Sequence, residues 1–388
     1  MSKMNIELWK LHVIRAVSGL TLFYTMDKVF MQLRGLSVSE IVVVEVVYAV
    51  TILLLEVPTG ALADRWSRKY VLALNLAFFI GNILVWLLAH DLSLFIVGVM
   101  LGSVHAALLS GTYNSLLYDT LQEAGQADQA TRVFGLTSYY HGIGAVAAGV
   151  LGGVVASAFG IEATFWLTLL PATFGLVLCF TIVEPKIHRT TGEISYWKHI
   201  VEASKYVAQH PTLYHTIMLI VMFTVSYKLI DEYVQLYFYN LGSSLLALGI
   251  IGGSFYLLEV FGGRLAAKLA VMEHRNLYLL LFLFSALGYV MMYVFQSTLG
   301  MLIALVPLFC AFISHPLLDA DLHHKLPSHF RATGESYISL VASLVFVPVG
   351  LAFGSVADMY SLPMAYLYVG TGLAIYVLIY LAVSYRKI

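Results

Sequence analysis

Apolar residues fill stretches of about 20 positions along the chain, and short polar segments separate these stretches. A helix needs about 20 apolar residues to cross the ~30 Å hydrocarbon core of a bilayer. The pattern therefore predicts an all-α membrane protein with twelve transmembrane helices. We number the predicted spans 1 to 12 and place them at residues 11–33, 38–59, 70–89, 93–118, 131–157, 162–183, 212–239, 244–267, 276–296, 299–318, 332–357 and 362–383.

A motif at the end of span 2 recurs at the end of span 8. Residues 56–65 read Glu-Val-Pro-Thr-Gly-Ala-Leu-Ala-Asp-Arg, and residues 259–268 read Glu-Val-Phe-Gly-Gly-Arg-Leu-Ala-Ala-Lys. Duplicated membrane halves are typical of secondary transporters. The repeat predicts two pseudo-symmetric six-helix halves, at 1–183 and 212–388, joined by a cytoplasmic connection at 184–211.

Composition and charge support a membrane protein and give its orientation. Hydrophobic residues make up 60% of the chain and charged residues 11%, against roughly 25% charged residues in soluble domains. The net charge of −1 disfavours nucleic acid as a partner. Of the 21 Lys and Arg residues, all but Lys28, Arg34 and Lys228 fall on one side of the predicted spans. The positive-inside rule then predicts an inner-membrane protein with both termini in the cytoplasm.

Residues 60–69, between spans 2 and 3, read Gly-Ala-Leu-Ala-Asp-Arg-Trp-Ser-Arg-Lys. This segment resembles the cytoplasmic signature loop of the major facilitator superfamily, which has the form Gly-x-Leu-x-Asp-Arg-x-Gly-Arg-Lys/Arg. The twelve spans extend the resemblance to the full chain. The resemblance implies the fold of that superfamily and secondary transport by alternating access. Within the superfamily, the chain resembles bacterial drug and metabolite transporters.

The resemblance also implies that the loop is a conformational latch for the outward-facing state. Its residues are Gly60, Asp64, Arg65, Arg68 and Lys69. In this role Gly60 allows close helix contact, and Asp64 faces the N-terminal end of span 11. The three basic residues bind carboxylates or lipid phosphates. A plain positive-inside anchor would explain the basic residues but would not explain Asp64.

Two departures from the family pattern bear on coupling and direction. Many proton-driven members carry an arginine in span 4, and Gly98 stands in that place here. Exporters often have Gly-Pro-x-x-Gly-Gly in span 5, and residues 148–153 keep the glycines without the proline. We expect proton-coupled efflux of small organic compounds by an antiporter. The alternatives are a proton-coupled importer of a metabolite or chelated nutrient, and a lipid flippase.

Ionisable residues inside the spans are candidates for proton coupling, because such a residue at the bilayer centre costs about 2.5–3.5 kcal/mol. The candidates are Asp27, Asp231, Glu232, Glu45 and His105. The acids either carry protons or form salt bridges that tie the halves together, in which Lys228 can pair with Glu232 four residues on or with Asp231 three residues on. For His105 the alternative is a neutral imidazole that is hydrogen-bonded to a neighbour.

In the superfamily fold, spans 1, 4, 7 and 10 line a central cavity. The candidate cavity residues are Tyr24, Tyr113, His141, Tyr227 and Lys228. We expect Arg15 to extend to the cytoplasmic surface rather than to meet an anionic substrate. Because the wall is mostly apolar, it suits neutral or cationic molecules.

The chain lacks a Gly-x-x-x-x-Gly-Lys-Ser/Thr motif, so ATP is not the direct energy source. We expect no enzymatic activity, no cofactor and no resident metal. The expected partners are a small organic substrate, protons and membrane lipids, and we expect a monomer.

Overall fold

The computed structural model describes residues 3–185, 207, 209–271, 274–326 and 331–385. These residues are helical apart from short connections, and no strand occurs among them. A 3₁₀ turn, Ala127–Gln129, precedes α6. The helices are α1 (Lys3–Gly19), α2 (Asp27–Leu33), α3 (Val38–Arg65), α4 (Arg68–Leu88), α5 (Leu92–Glu123), α6 (Ala130–Phe159), α7 (Ile161–Phe180), α8 (Pro211–Asn240), α9 (Leu245–Leu269), α10 (His274–Val294), α11 (Thr298–Ile303), α12 (Leu305–Lys325), α13 (Arg331–Met359) and α14 (Leu362–Tyr385).

Eleven helical segments of the described residues are long and apolar enough to cross a membrane, and they correspond to predicted spans 2 to 12. Large apolar side chains such as Leu54, Leu170 and Leu378 are about two-thirds exposed on these helices. Exposed apolar surface of this kind is suited to contact with lipid. Span 1 differs from its prediction. A continuous helix over 11–33 is wrong, since the chain leaves the helix after Gly19 and enters a second one at Asp27.

Close backbone contacts with α6 accompany the interruption of span 1. A Cβ atom on Gly144 would overlap a backbone oxygen of α1, and a Cβ atom on Gly152 would overlap the backbone oxygen of Leu22. The interruption leaves backbone groups without helical partners, and the N–H of Leu22 donates to Thr168 Oγ1 at 3.0 Å. A break at membrane depth is tolerated where neighbouring helices satisfy the freed backbone groups in this way.

The chain forms two compact units, and each draws on both halves of the sequence. Unit 1 comprises Met1–Leu36, Val44–Glu193 and Ser244–Tyr256, and unit 2 comprises Ser37–Val43, Ile194–Ser243 and Leu257–Ile388. The start of α3 thus groups with unit 2, and the start of α9 with unit 1. The boundaries predicted from sequence, with one half ending at residue 183 and the other beginning at residue 212, stay a prediction. The predicted cytoplasmic connection falls mainly on 186–206, outside the described residues.

The core of unit 1 combines a mainly aliphatic cluster around Leu11 with stacked aromatic rings such as those of Phe23 and Phe165. Tyrosines contribute much of the core of unit 2. Tyr237, Tyr289 and Tyr366 are at most 1% exposed, and the rings of Tyr289 and Tyr366 stack at 5.8 Å. The hydroxyl groups of Tyr237 and Tyr289 each donate to a backbone oxygen at 2.8 Å. Buried tyrosines usually find such partners. The aromatic residues around Tyr237 are therefore packing residues of unit 2.

The N-terminus of α3 is capped twice. Ser37 and Glu40 form a capping box, in which Ser37 N–H donates to Glu40 Oε2 at 2.8 Å and Glu40 N–H donates to Ser37 Oγ at 3.3 Å. Asp358, at the end of α13, accepts the N–H groups of Val38 and Ser39, each at 2.9 Å. A carboxylate at this position also interacts favourably with the helix dipole.

Candidate functional site

A cavity of about 500 Å³ lies within unit 1, between α1, α5 and α6. This volume is within the range of small-molecule sites, about 300–1,000 Å³. The residues that carry its chemistry are Arg15, Tyr24, His105, Tyr113, Asn114 and His141. The structure thus brings together three predicted cavity residues and one predicted proton-coupling residue. No Asp or Glu is among the described residues that line the cavity.

Arg15 lines the cavity, so the expectation that it extends to the cytoplasmic surface is wrong. Its guanidinium carbon lies 5.8 Å from the centroid of the Tyr113 ring, within reach of a cation–π interaction. The hydroxyl of Tyr113 donates to Leu11 O at 2.9 Å, which anchors the ring to the backbone of α1. The described residues place no carboxylate within 4.0 Å of Arg15.

His105 is held by α4. Its Nδ1 lies 3.1 Å from Asn75 O, and the Asn75 amide donates back to His105 O. The imidazole also stacks on Phe79 with 4.7 Å between ring centroids. Since a carbonyl oxygen only accepts, Nδ1 carries the hydrogen. This geometry favours the hydrogen-bonded alternative for His105, and its role in proton coupling stays a prediction.

Asp27, Lys28 and Glu45 form a buried ionic cluster in unit 1, which we call the charge triad. Lys28 Nζ lies 2.8 Å from Asp27 Oδ2 and 2.5 Å from Glu45 Oε1. The three side chains are 4–10% exposed. Asp27 begins α2 directly after the interrupted segment, and Glu45 reaches Lys28 from α3. Two predicted proton-coupling residues therefore share one cation.

The candidates of unit 2 lie on α8. The ring of Tyr227 is 5.7 Å from that of Phe312 and 5.6 Å from that of His315. Lys228 Nζ lies 5.4 Å from the centroid of Phe346. The predicted ion pair between Lys228 and Glu232 is not formed, because no carboxylate of the described residues lies within 4.0 Å of that ammonium group. Coupling roles for Asp231 and Glu232 stay predictions.

The segment between α3 and α4 is tied to α5 and to the end of α7. Arg68 donates to Asp119 of α5 through a short contact of their side chains. Glu184 accepts the backbone N–H of Arg68 at 2.7 Å and also accepts from the hydroxyl of Ser67. Lys69 Nζ donates to Ile182 O at 3.4 Å. Arg68 therefore binds a carboxylate of α5, and the role of this segment as a conformational latch stays a prediction.

Gly60 does not make the close helix contact that the sequence predicts. A Cβ atom added to Gly60 would have no neighbour within 4 Å, and Gly60 instead lines a second cavity of about 320 Å³, together with Glu56, Gly111 and Thr112. The predictions for Asp64 and Arg65 concern their side chains, which lie outside what the structure describes.

A family model described as the Major Facilitator Superfamily matches residues 11–347. The chain belongs to the major facilitator superfamily. It is similar to the inner membrane transport protein YajR of Escherichia coli (strain K12), with 28% identity over 153 residues. That alignment covers 39% of this chain and 32% of YajR, so the chain spans about a third of the relative's length.

Solved structures of other transporters share the fold at low sequence identity. The nucleoside transporter NupG gives a TM-score of 0.76 at 13% identity, covering 98% of each chain. A bacterial homolog to the human lysosomal transporter Spinster gives 0.76 at 13% identity, with 97% of this chain and 96% of that chain covered. A D-xylose-proton symporter gives 0.65 at 15% identity, with 96% and 97% covered. The predicted fold class, an all-α membrane protein with the major facilitator fold, is confirmed. The eleven candidate spans among the described residues, together with the interrupted span 1, are consistent with the twelve predicted spans.

The superfamily arginine that this chain lacks would have no room in the structure. A Cβ atom on Gly98 would overlap the indole ring of Trp86, and Trp86 Nε1 donates to Phe95 O at 3.2 Å. The packing of α4 on α5 therefore occupies this position. Any coupling group of this member has to lie elsewhere among its ionisable residues.

The cavity is also lined by Asn114, Tyr48 and Tyr256, and α4 is bound by Glu184, four residues that are absent from the predicted site. The signal for Asn114 was available, because it directly follows Tyr113 on α5 and is polar within an apolar helix. Glu184 carried no such signal, since its role depends on where α7 ends relative to α4.

Proposed function

We propose that the protein is a proton-coupled secondary active transporter that moves small organic compounds by alternating access. The observation that carries the proposal is the cavity of unit 1. Its volume suits a small molecule, and polar side chains of otherwise apolar helices line it. The interrupted span 1 borders the cavity through Tyr24. Discontinuous helices form the substrate sites of many transporters.

The charge triad supports protons as the coupling ion. Within the triad two carboxylates face one ammonium group, so one of the acids can take up a proton while Lys28 keeps an ionic partner. A carboxyl group alternates between its two forms when its access to water changes, because burial disfavours the charged form. Asp27 and Glu45 are the first candidates for the proton carrier. Asp231, Glu232 and His105 remain further candidates.

For direction, we propose efflux by proton antiport. The support is the glycine face of α6, which resembles that of exporters without their proline. The second candidate is proton-coupled import, which the similarity of fold to a D-xylose-proton symporter favours. A lipid flippase is a third possibility on the same scaffold, and fluorescent lipids in proteoliposomes test it through protection from external quenchers.

The distribution of basic residues supports a cytoplasmic (inner) membrane location with both termini in the cytoplasm. We further propose that the protein acts as a monomer in contact with membrane lipids. The segment of Asp64, Arg65, Arg68 and Lys69 would act as its latch on the cytoplasmic side. Tyr227 and Lys228 stay candidates for substrate contact from unit 2.

Proteoliposomes loaded with a pH-sensitive dye test both coupling and direction. Each compound of a metabolite and drug panel is added outside, where antiport makes the lumen more alkaline and symport makes it more acidic. We expect alkalinisation by at least one compound and its loss in Asp27→Asn or Glu45→Gln, with binding retained. Acidification would favour import, and unchanged coupling in both variants would contradict the proposed proton carriers.

A further inference from the structure

We propose that the cavity of unit 1 selects small organic anions, with Arg15 as the group that pairs with the carboxylate of the substrate. This inference rests on the proposed transport function and adds the chemical class of the substrate to it. It replaces the expectation, drawn from sequence, that the cavity suits neutral or cationic molecules.

The first argument is the charge of the cavity wall. Arg15 contributes a positive charge to the cavity wall, and no Asp or Glu is among the described residues that line the cavity. An arginine inside a membrane protein is costly unless it is paired or serves a function. A substrate carboxylate would supply the partner that the described residues do not, and its two oxygens match the fork of a guanidinium group.

The second argument is that Arg15 is held in place. The guanidinium carbon of Arg15 lies 5.8 Å from the centroid of the Tyr113 ring. The hydroxyl of Tyr113 donates a hydrogen bond to Leu11 O. The Tyr113 ring is 3% exposed, so it is fixed by packing as well. A charged group held in this way can bind an anion without first losing side-chain entropy, which improves affinity.

The third argument is the chemistry of the remaining wall. Asn114 is exposed on α5 and lines the cavity. His141 lies on α6, with its ring 6.5 Å from that of Tyr256. These groups offer an amide, an imidazole and aromatic faces to the body of a substrate. Together with one fixed cation, they fit a monocarboxylate that carries a ring or hydroxyl groups.

The electrostatic part is tested by thiol modification of Asn114→Cys. The probes are sulfonatoethyl methanethiosulfonate, an anion, and trimethylammonioethyl methanethiosulfonate, a cation, with both rates normalised to those for free 2-mercaptoethanol. Cys179 and Cys310 are buried, so the unmodified protein gives the background rate. We expect the normalised rate of the anion to exceed that of the cation by about a hundredfold. A unit charge ~10 Å away at an effective dielectric constant of about 20 changes the rate of each probe by roughly tenfold, in opposite directions.

The matched controls separate Arg15 from other arginines. Adding Arg15→Gln to Asn114→Cys should abolish the preference, and Arg15→Lys should keep it. Arg132→Gln, which removes an exposed arginine at the start of α6, should also keep it. A normalised ratio near one in Asn114→Cys, or a ratio that Arg15→Gln leaves unchanged, would overturn the proposal.

Ligand class is tested by thermal stability of the purified full chain with matched probes. These are benzoate against benzamide, indole-3-acetate against indole-3-acetamide, and benzylamine as the cation. We expect the acids to raise the unfolding temperature of the unaltered protein and of the Arg132→Gln variant. The Arg15→Gln variant should show no such increase. Equal stabilisation by the amides, or none by either acid at millimolar concentration, would overturn the proposal. Transport of neutral compounds by the unaltered protein would refute anion selection and leave the proposed transport function standing.

Discussion

Replacing Lys28 by methionine should destabilise the protein strongly, because it removes the one cation of the charge triad. Both carboxylates within ion-pair distance of Lys28 are at most 10% exposed. Removing one partner of a buried ion pair costs about 3–5 kcal/mol, since the other charge stays buried without compensation. Here two carboxylates lose the same partner, so we expect a loss of at least about 3 kcal/mol in the free energy of unfolding.

The two native cysteines supply the assay. Cys179 and Cys310 are free and at most 5% exposed, so a maleimide dye that fluoresces on reaction with thiols reports the temperature at which they become accessible. Lys228→Met is the matched control. That lysine has no carboxylate within 4.0 Å among the described residues and lies over Phe346, so its loss should cost about 0.5–2 kcal/mol.

Two further measurements identify charge as the cause. The triple variant Asp27→Asn, Lys28→Met, Glu45→Gln is neutral and similar in volume, and it should recover most of the lost stability. The difference in unfolding temperature between Lys28→Met and the unaltered protein should also narrow as pH is lowered, because protonation neutralises the carboxylates of Asp27 and Glu45 that have lost Lys28 as a partner. Unfolding of Lys28→Met at the temperature of the unaltered protein would refute the reasoning. A triple variant as unstable as Lys28→Met would show that lost packing is the cause.

Three other predictions concern the interrupted span and its surroundings. Gly152→Ala should lower the unfolding temperature and transport, because its Cβ atom would overlap Leu22 O, whereas Gly142→Ala should be tolerated because a Cβ atom there would have no neighbour within 4 Å; equal effects would contradict the contact. Thr168→Val should cost about 1–3 kcal/mol in the same dye assay, since the N–H of Leu22 loses its acceptor, and an unchanged unfolding temperature would disprove that hydrogen bond. Asp358→Ala should cost about 1–2 kcal/mol by removing the acceptor for the first two N–H groups of α3, and Asp358→Asn should cost less because it keeps one acceptor oxygen; the reverse order would contradict capping as the role of this side chain.

The spans could be predicted from sequence because each depends on a local property, the length of an apolar stretch. The interruption of span 1 could not. Gly19 weakens the helix at this point by only about 1 kcal/mol, and Leu20 to Met26 contains neither proline nor glycine, so local propensity alone does not predict seven residues outside the helix. The break depends on contacts with other helices, the close approach of Gly152 and the hydroxyl of Thr168. Tertiary contacts of this kind override local propensity.

The sequence predicts several residues of the candidate site, but it does not predict which of them contact each other. Asp27 and Glu45 are each predictable as candidates, because the cost of a charge in a membrane can be recognised from sequence. Their common partner Lys28 lies 17 positions before Glu45, on another helix, and no periodicity indicates that pairing. Arg15 was misplaced because its distance from the end of the span allowed it to reach the surface, whereas packing on Tyr113 directs it into the cavity.

The interrupted segment connects the cavity of unit 1 to the charge triad over a few residues of the chain. Tyr24 lines the cavity that holds Arg15, and Asp27 of the charge triad follows three residues later. A segment outside regular helix can change its backbone angles without breaking a continuous ladder of hydrogen bonds, as hinges do. A bound substrate and a bound proton would therefore act on the same seven residues, from Leu20 to Met26. Coupling between them would need no route through a distant part of the protein, and it would be lost if this segment were packed as a continuous helix.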